Sequence, residues 1–209
     1  DFFPYKRTGS LLYTLLPDWG REGTKETIIK RLTNQEQKAK VLEGIKKLTL
    51  HFDRITIAST LRKSGLIGKT IEEASKTLSM SPENTMIELL IINNLSVVIF
   101  SQTINEKHIK KLLQEPYTII SSDGIGKSMN EVSLRENLIH PRSYGTVPRI
   151  LGKFVRKENV LPLKQAIMKM TSMPAEKLNI KRRGKIEKGF YADLVIFDPK
   201  TVIDSSTYK

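Results

Sequence analysis

A carboxylate stands at the end of a short β-branched run in Ile119-Ile120-Ser121-Ser122-Asp123-Gly124. Such a run reads as a strand, and the C-terminal end of a strand is where an α/β barrel keeps its reacting groups. The small neighbours Ser122 and Gly124 leave room for a ligand to approach the Asp123 carboxylate. Asp-Gly also makes ordinary turns, so the local pattern alone leaves both readings open. Further on, His140-Pro141-Arg142-Ser143-Tyr144-Gly145-Thr146-Val147-Pro148-Arg149 gathers a histidine, two arginines and a tyrosine. Arg142 could grip a substrate carboxylate through its planar fork, or serve in a loop ion pair. Asp193, just before the apolar run Leu194-Val195-Ile196-Phe197, reads as tying down a turn rather than as a catalyst.

The metal-binding inventory is thin. The chain has three histidines, His51, His108 and His140, and no cysteine. A hydrolytic zinc site needs about three protein ligands, so these histidines do not assemble one. His51, before a strand, and His108, on a lysine-rich helix, read as structural. Gly65-Leu66-Ile67-Gly68-Lys69-Thr70 lacks the glycine spacing of a phosphate-binding loop.

The elements that must position these residues can be read along the chain. A helix is expected from Thr24, with Ile28, Ile29 and Leu32 as its buried stripe, and a second from about Asn34 to Lys47. Residues 54 to 58 alternate as a strand does. Thr70 and Glu73 have the spacing of a capping box, and Ser81-Pro82 opens a helix reaching Asn93-Asn94. Ser96 to Phe100 reads as a strand covered on both faces, Asn105 to Gln114 as a helix, and Thr118 to Ser121 as the strand carrying Asp123. This alternation predicts βα units and a parallel sheet. Residues 126 to 150 show no period and read as a long loop. Leu163 to Met170 reads as a helix, Pro174 as one more turn, and Gly184 to Phe197 as turn, charged turn and strand.

Composition sets outer bounds. With 209 residues and 39% hydrophobic content, the chain can bury a sizeable core. It begins with Asp1 and enters an apolar segment at once, which reads as a start inside a larger fold. The absence of cysteine excludes disulfides and fits a cytoplasmic protein. No apolar run reaches the roughly 18 residues of a membrane span. The net charge of +13 is the one extreme. Its basic residues are scattered over polar helix faces rather than interleaved with aromatics, which argues against a nucleic-acid partner.

Taken together, five blocks carry a resemblance. Asp1-Phe2-Phe3-Pro4-Tyr5, Ser121 to Gly124, His140 to Arg149, Met170-Thr171-Ser172-Met173-Pro174-Ala175 and Gly189 to Asp198 resemble the N-acyl-D-amino-acid deacylases, or D-aminoacylases, of the amidohydrolase superfamily. The resemblance implies the C-terminal part of a (β/α)₈ barrel with an inserted segment over residues 1–180 and the start of a small β-sandwich over 181–209. It implies one or two zinc ions whose ligands lie mostly upstream, with Asp123 as a further ligand, and a partner in the remainder of the same barrel. Asp123 is similar to the family's catalytic aspartate, which takes a proton from water and passes it to the departing amine. Arg142 matches the arginine that binds the carboxylate of a small N-acyl amino acid, and Gly9, Ser10 and Phe3 would border the same pocket. Phe3 stands where the best-known members have tyrosine, which removes a phenolic contact to substrate. The alternatives kept open are another cyclic-amide or dipeptide amidohydrolase, and a non-catalytic truncated product.

Overall fold

In a computed structural model that describes residues 1–126 and 137–208, the chain divides into two compact units. One is built on Arg7–Thr103 with residues 137–139. The other joins residues 1–6, 104–126 and 140–208.

The Arg7–Thr103 unit packs four helices around a three-stranded sheet. Strands β1 (Arg7–Leu11), β2 (Ile55–Ser59) and β3 (Val98–Gln102) lie in the order β1-β3-β2. Helices α1 (Lys25–Thr33) and α2 (Gln35–Lys47) start at the Thr24 and Asn34 caps, whose side chains accept from Thr27 N–H and Gln37 N–H. Helix α3 (Ile71–Leu78) carries the expected capping box: Thr70 Oγ1 accepts from Glu73 N–H and Glu73 Oε2 from Thr70 N–H. Helix α4 (Pro82–Ile92) is capped by Ser81. Its Met86, Ile87, Leu89 and Leu90 are buried with Leu12, Leu32, Ile57, Ile71 and Ile99. This apolar cluster is what holds the helices to the sheet.

The sheet corrects one expectation. Both of its pairings are antiparallel, not parallel. Two helices, α3 and α4, separate β2 from β3. A single crossover helix returns a strand parallel to the first, whereas a helix pair reverses the chain once more. Strands β2 and β3 were legible from periodicity; β1, read as loop around Thr8-Gly9-Ser10, and strand direction were not.

In the second unit, the expected strand around Thr118–Ser121 is reduced to one parallel bridge, Phe2 with Ile120. Phe2 N–H donates to Ile119 O and Ser121 N–H to Phe2 O. Helix α5 (Glu106–Gln114) precedes that segment. The long loop expected from 126 to 150 is a second correction, as far as it is described. Residues 127–136 lie outside the described residues, but Arg142–Arg149 forms helix α6, which continues as a π-helix over Ile150–Lys157. Gly145, Pro148 and Gly152 hide it from a propensity reading. Burial of Ile150 and Phe154 against Ile109, Leu113 and Ile120 holds it in place. Helices α7 (Leu163–Met170) and α8 (Ser172–Lys177) fall where expected.

The strand expected near Leu194–Phe197 is also absent: no strand is formed over residues 184–208. An apolar run becomes a strand only with a neighbour to pair with, and none lies beside it among the described residues. Among the described residues no helix is long and apolar enough to cross a membrane.

Candidate active site

Asp123 sits just past the Phe2–Ile120 bridge, in the left-handed region at φ 47°. Asp is one of the few residues that tolerate this conformation. Gly124 then passes so close to the start of α6 that an added Cβ would lie 2.8 Å from Ser143 Cα. Ile125 N–H donates to Ser143 Oγ at 3.2 Å. The Asp123 loop is thereby pinned to the first turn of α6 by a close backbone approach and a backbone-to-hydroxyl bond, which brings the two side chains together.

The result is an ion pair, with Arg142 Nη1 3.0 Å from Asp123 Oδ2. Its partners differ in exposure: the Arg142 side chain is 12% exposed and that of Asp123 61%. Arg142 is therefore the fixed member and Asp123 the accessible one. Phe3 supports the guanidinium from below, its ring centroid 4.7 Å from Arg142 Cζ. A cleft of about 370 Å³ opens beside the pair, lined by Phe2, Phe3, Ile109, Ser121 and Asp123 among others.

Behind Arg142 lies a buried aromatic nest. His140 packs edge-on to Phe3, Tyr5 and Tyr208 at centroid distances of 6.0, 5.6 and 5.1 Å. Its Nδ1 accepts from the Arg142 backbone N–H at 3.1 Å. Tyr5 OH donates to Asp204 Oδ2 at 2.9 Å, and Arg149 Nη1 lies 3.4 Å from the same oxygen. Burial, with Asp204 adding to it, pushes the Tyr5 hydroxyl well above the usual phenol range, so it stays a donor.

Below the Asp123 loop, Lys169 is fully buried on α7. Its ammonium donates to Glu115 O, Thr118 O and Thr118 Oγ1. These carbonyls end α5 and begin the segment running to Asp123. Burial draws the Lys169 ammonium below its ordinary range, with the Glu115 carboxylate opposing.

Phe3, Asp123 and Arg142 are thus brought together. Gly9 and Ser10 belong to the other unit, in β1, where they pair with Phe100 and Ile99. Asp193 pairs with Arg183, and Tyr191 lies against the Arg182 and Arg183 guanidinium groups, in keeping with a turn tie. His140, Tyr5, Arg149, Lys169 and Asp204 were not singled out for the roles they take. The one local signal was Asp204-Ser205-Ser206, a sequence suited to an Asx turn.

Comparison with known proteins adds the family. The model of the amidohydrolase family matches residues 24–208. The chain belongs to the amidohydrolase family. This amidohydrolase chain is 36% identical over 105 residues to the D-aminoacylase of Alcaligenes xylosoxydans xylosoxydans, a match covering half of this chain and 20% of that protein. A crystal structure of D-aminoacylase superposes with a TM-score of 0.69 and 27% identity, covering all of this chain and 34% of that one. N-acyl-D-glutamate deacylase from Bordetella bronchiseptica, complexed with zinc and a phosphonate mimic of the tetrahedral intermediate, gives a TM-score of 0.70 over the same shares. At 22% identity that last likeness shows the fold alone. The fold class is that of the α/β amidohydrolase barrel, of which this chain presents a part. The chain spans about a third of the solved structures it matches.

Zinc does not fit the described residues by themselves. Among them no group of three or more His, Asp or Glu side chains could hold a metal ion. Asp123 offers one carboxylate, and His140 points its Nδ1 at the Arg142 backbone. What the described residues supply is an exposed carboxylate, Asp123, beside the largely buried guanidinium of Arg142.

Proposed function

We propose that the protein hydrolyses the amide bond of N-acyl-D-amino acids, releasing a carboxylic acid and a D-amino acid. The observation that carries the reading is the Asp123–Arg142 pair at 3.0 Å, in which Asp123 also lines a cleft. Support also comes from the likeness to D-aminoacylase. Arg142, held from beneath by Phe3 and behind by His140, presents a rigid fork for the substrate α-carboxylate. A carboxylate bound there would take over the fork that Asp123 now shares and free Asp123 to act. Asp123 then accepts a proton from the attacking water and returns it to the departing nitrogen, the two-way traffic a general base and acid must perform.

The same reading keeps residues 1–180 as the barrel portion and 181–209 as the sandwich segment. It assigns a zinc requirement to the whole protein, with ligands other than those described. Phe3 in place of a phenol leaves carbonyl polarisation to other groups.

The test uses the full-length protein. Asp123→Asn is expected to lower kcat at least a thousandfold with zinc content unchanged. Arg142→Ala is expected to raise KM for substrates with a free α-carboxylate while sparing amide-capped analogues. Normal turnover by Asp123→Asn would end the assignment.

A further inference from the structure

The segment that follows Asp198 runs back along α6 and its π-helical extension, and two glycines make the seat it lies in. An added Cβ at Gly152 would stand 2.6 Å from Val202 O. At Gly145 it would stand 2.0 Å from Asp204 Oδ1, 2.3 Å from Ser206 Oγ and 2.4 Å from Tyr5 OH. At Gly152 the tail backbone itself leaves no room for a Cβ, so docking requires glycine there, and at Gly145 a Cβ would displace the Asp204, Ser206 and Tyr5 side chains from one another. Arg156 Nη1 fixes the approach by donating to Pro199 O and Val202 O at 3.0 and 2.6 Å.

At the end of the seat Asp204 is saturated with donors. Its side chain is 7% exposed. It accepts from Tyr5 OH at 2.9 Å and from the Ser206 backbone and hydroxyl at 2.9 and 2.5 Å, with Arg149 Nη1 at 3.4 Å. Arg149 in turn donates from Nε to Pro4 O at 2.8 Å and stacks on the Tyr5 ring at 4.7 Å. Ser206 Oγ also reaches Pro141 O at 3.2 Å, and Tyr208 closes the nest around His140. The Asp204 carboxylate therefore ties the Phe3-Pro4-Tyr5 segment to the end of α6 through Arg149, and Ser206, bonded to the same carboxylate, ties the tail to Pro141 at its start. Those are the two segments that carry Phe3 and Arg142.

We propose that Asp204 is a positioning residue for recognition of the substrate carboxylate, the tail acting as a strap that holds Phe3, His140 and Arg142 in register. This rests on the function proposed above. It adds that the precision of Arg142 comes from residues 202–208, not from α6 alone. The strap acts on Tyr5, Arg149 and Pro141 among the described residues, so its loss weakens binding through Arg142 and leaves the chemical step in place.

Two readouts on the full-length protein test it. In hydrogen exchange at a temperature where both proteins are folded, Asp204→Ala raises exchange of the peptide spanning 140–149 at least tenfold and leaves that of α1–α4 unchanged. In kinetics with N-acetyl-D-amino acids, the same variant raises KM about tenfold for free-carboxylate substrates, with kcat within twofold and amide-capped analogues unaffected. Asp204→Asn, which keeps an acceptor for Tyr5 and Ser206, recovers most of both. Gly145→Ala, which evicts the tail sterically, reproduces the Asp204→Ala pattern and adds little to it in the double variant. Unchanged exchange in 140–149, or a KM rise equal for capped and uncapped substrates, overturns the proposal while the deacylase reading stands. Absence of turnover in the wild type sinks that reading instead, and the exchange arm alone then decides whether the strap exists.

Discussion

Glu106 shows how a single ion pair in the second unit responds to pH. Its carboxylate accepts from Lys153 Nζ at 2.7 Å, and both side chains are largely shielded. The hydrogen bond from Lys153 holds the Glu106 carboxyl below the usual range, against an opposing effect of burial. A carboxyl whose folded pKa is depressed binds fewer protons folded than unfolded. The stability it contributes is therefore present above the ordinary carboxylate range and is lost as pH falls through the folded value. Glu106→Gln is expected to lower unfolding free energy by about 1 kcal/mol at pH 7. The gap should close at acid pH where wild-type Glu106 is itself protonated, as urea titrations at several pH values would register; a gap that stays constant with pH would remove the ion pair as its cause. At this scale the sequence was legible where chemistry is local. Asp123 announces itself by ending an apolar run, and Arg142 by its crowded block. Tyr5 and Asp204 do not, because their partnership spans 199 positions and depends on a helix seat that no local pattern encodes.

Among the elements, the helices with their own side-chain start signals all form where they were read. Thr24, Asn34, Thr70, Ser81 and Asn105 each accept a hydrogen bond from a backbone N–H in the first turn of the helix that follows. Such a cap is written in three or four adjacent residues and needs no tertiary information. Helix α6 has no side-chain cap, contains Pro148, and passes into a π-helix. Its existence comes from burial of Ile150 and Phe154 and from the tail against Gly145 and Gly152, which periodicity cannot supply. The contrast gives a measurable expectation for the best-signalled helix. Thr70→Ala removes one bond of the reciprocal pair and should cost about 1 kcal/mol, while Thr70→Ser should cost only a few tenths. Equal losses for both substitutions, seen as equal shifts of the denaturation midpoint, would show that the Thr70 methyl rather than its hydroxyl matters.

For the molecule as a whole, fold class was legible and strand direction was not, and the segment before the strap shows why. Leu194-Val195-Ile196-Phe197 has the composition of a strand, yet Val195 is 85% and Ile196 100% exposed. Ile186 nearby is 91% exposed. A β-prone apolar run left without a pairing neighbour is a template for another chain. Opposing this is the net charge of +13, whose repulsion acts over a screening length of roughly 8 Å at physiological salt and about 3 Å at 1 M. The two effects predict a polypeptide of these 209 residues that self-associates with rising concentration, and more strongly as salt is added. Sedimentation velocity across a salt series measures this directly. Val195→Lys together with Ile196→Lys should restore the monomer at every salt concentration, because the pair interrupts the apolar run and adds charge where chains would meet. Association that persists in the double variant would place the adhesive surface elsewhere. A monomer at high salt in the unsubstituted chain would mean that the exposed run is too short to template a partner.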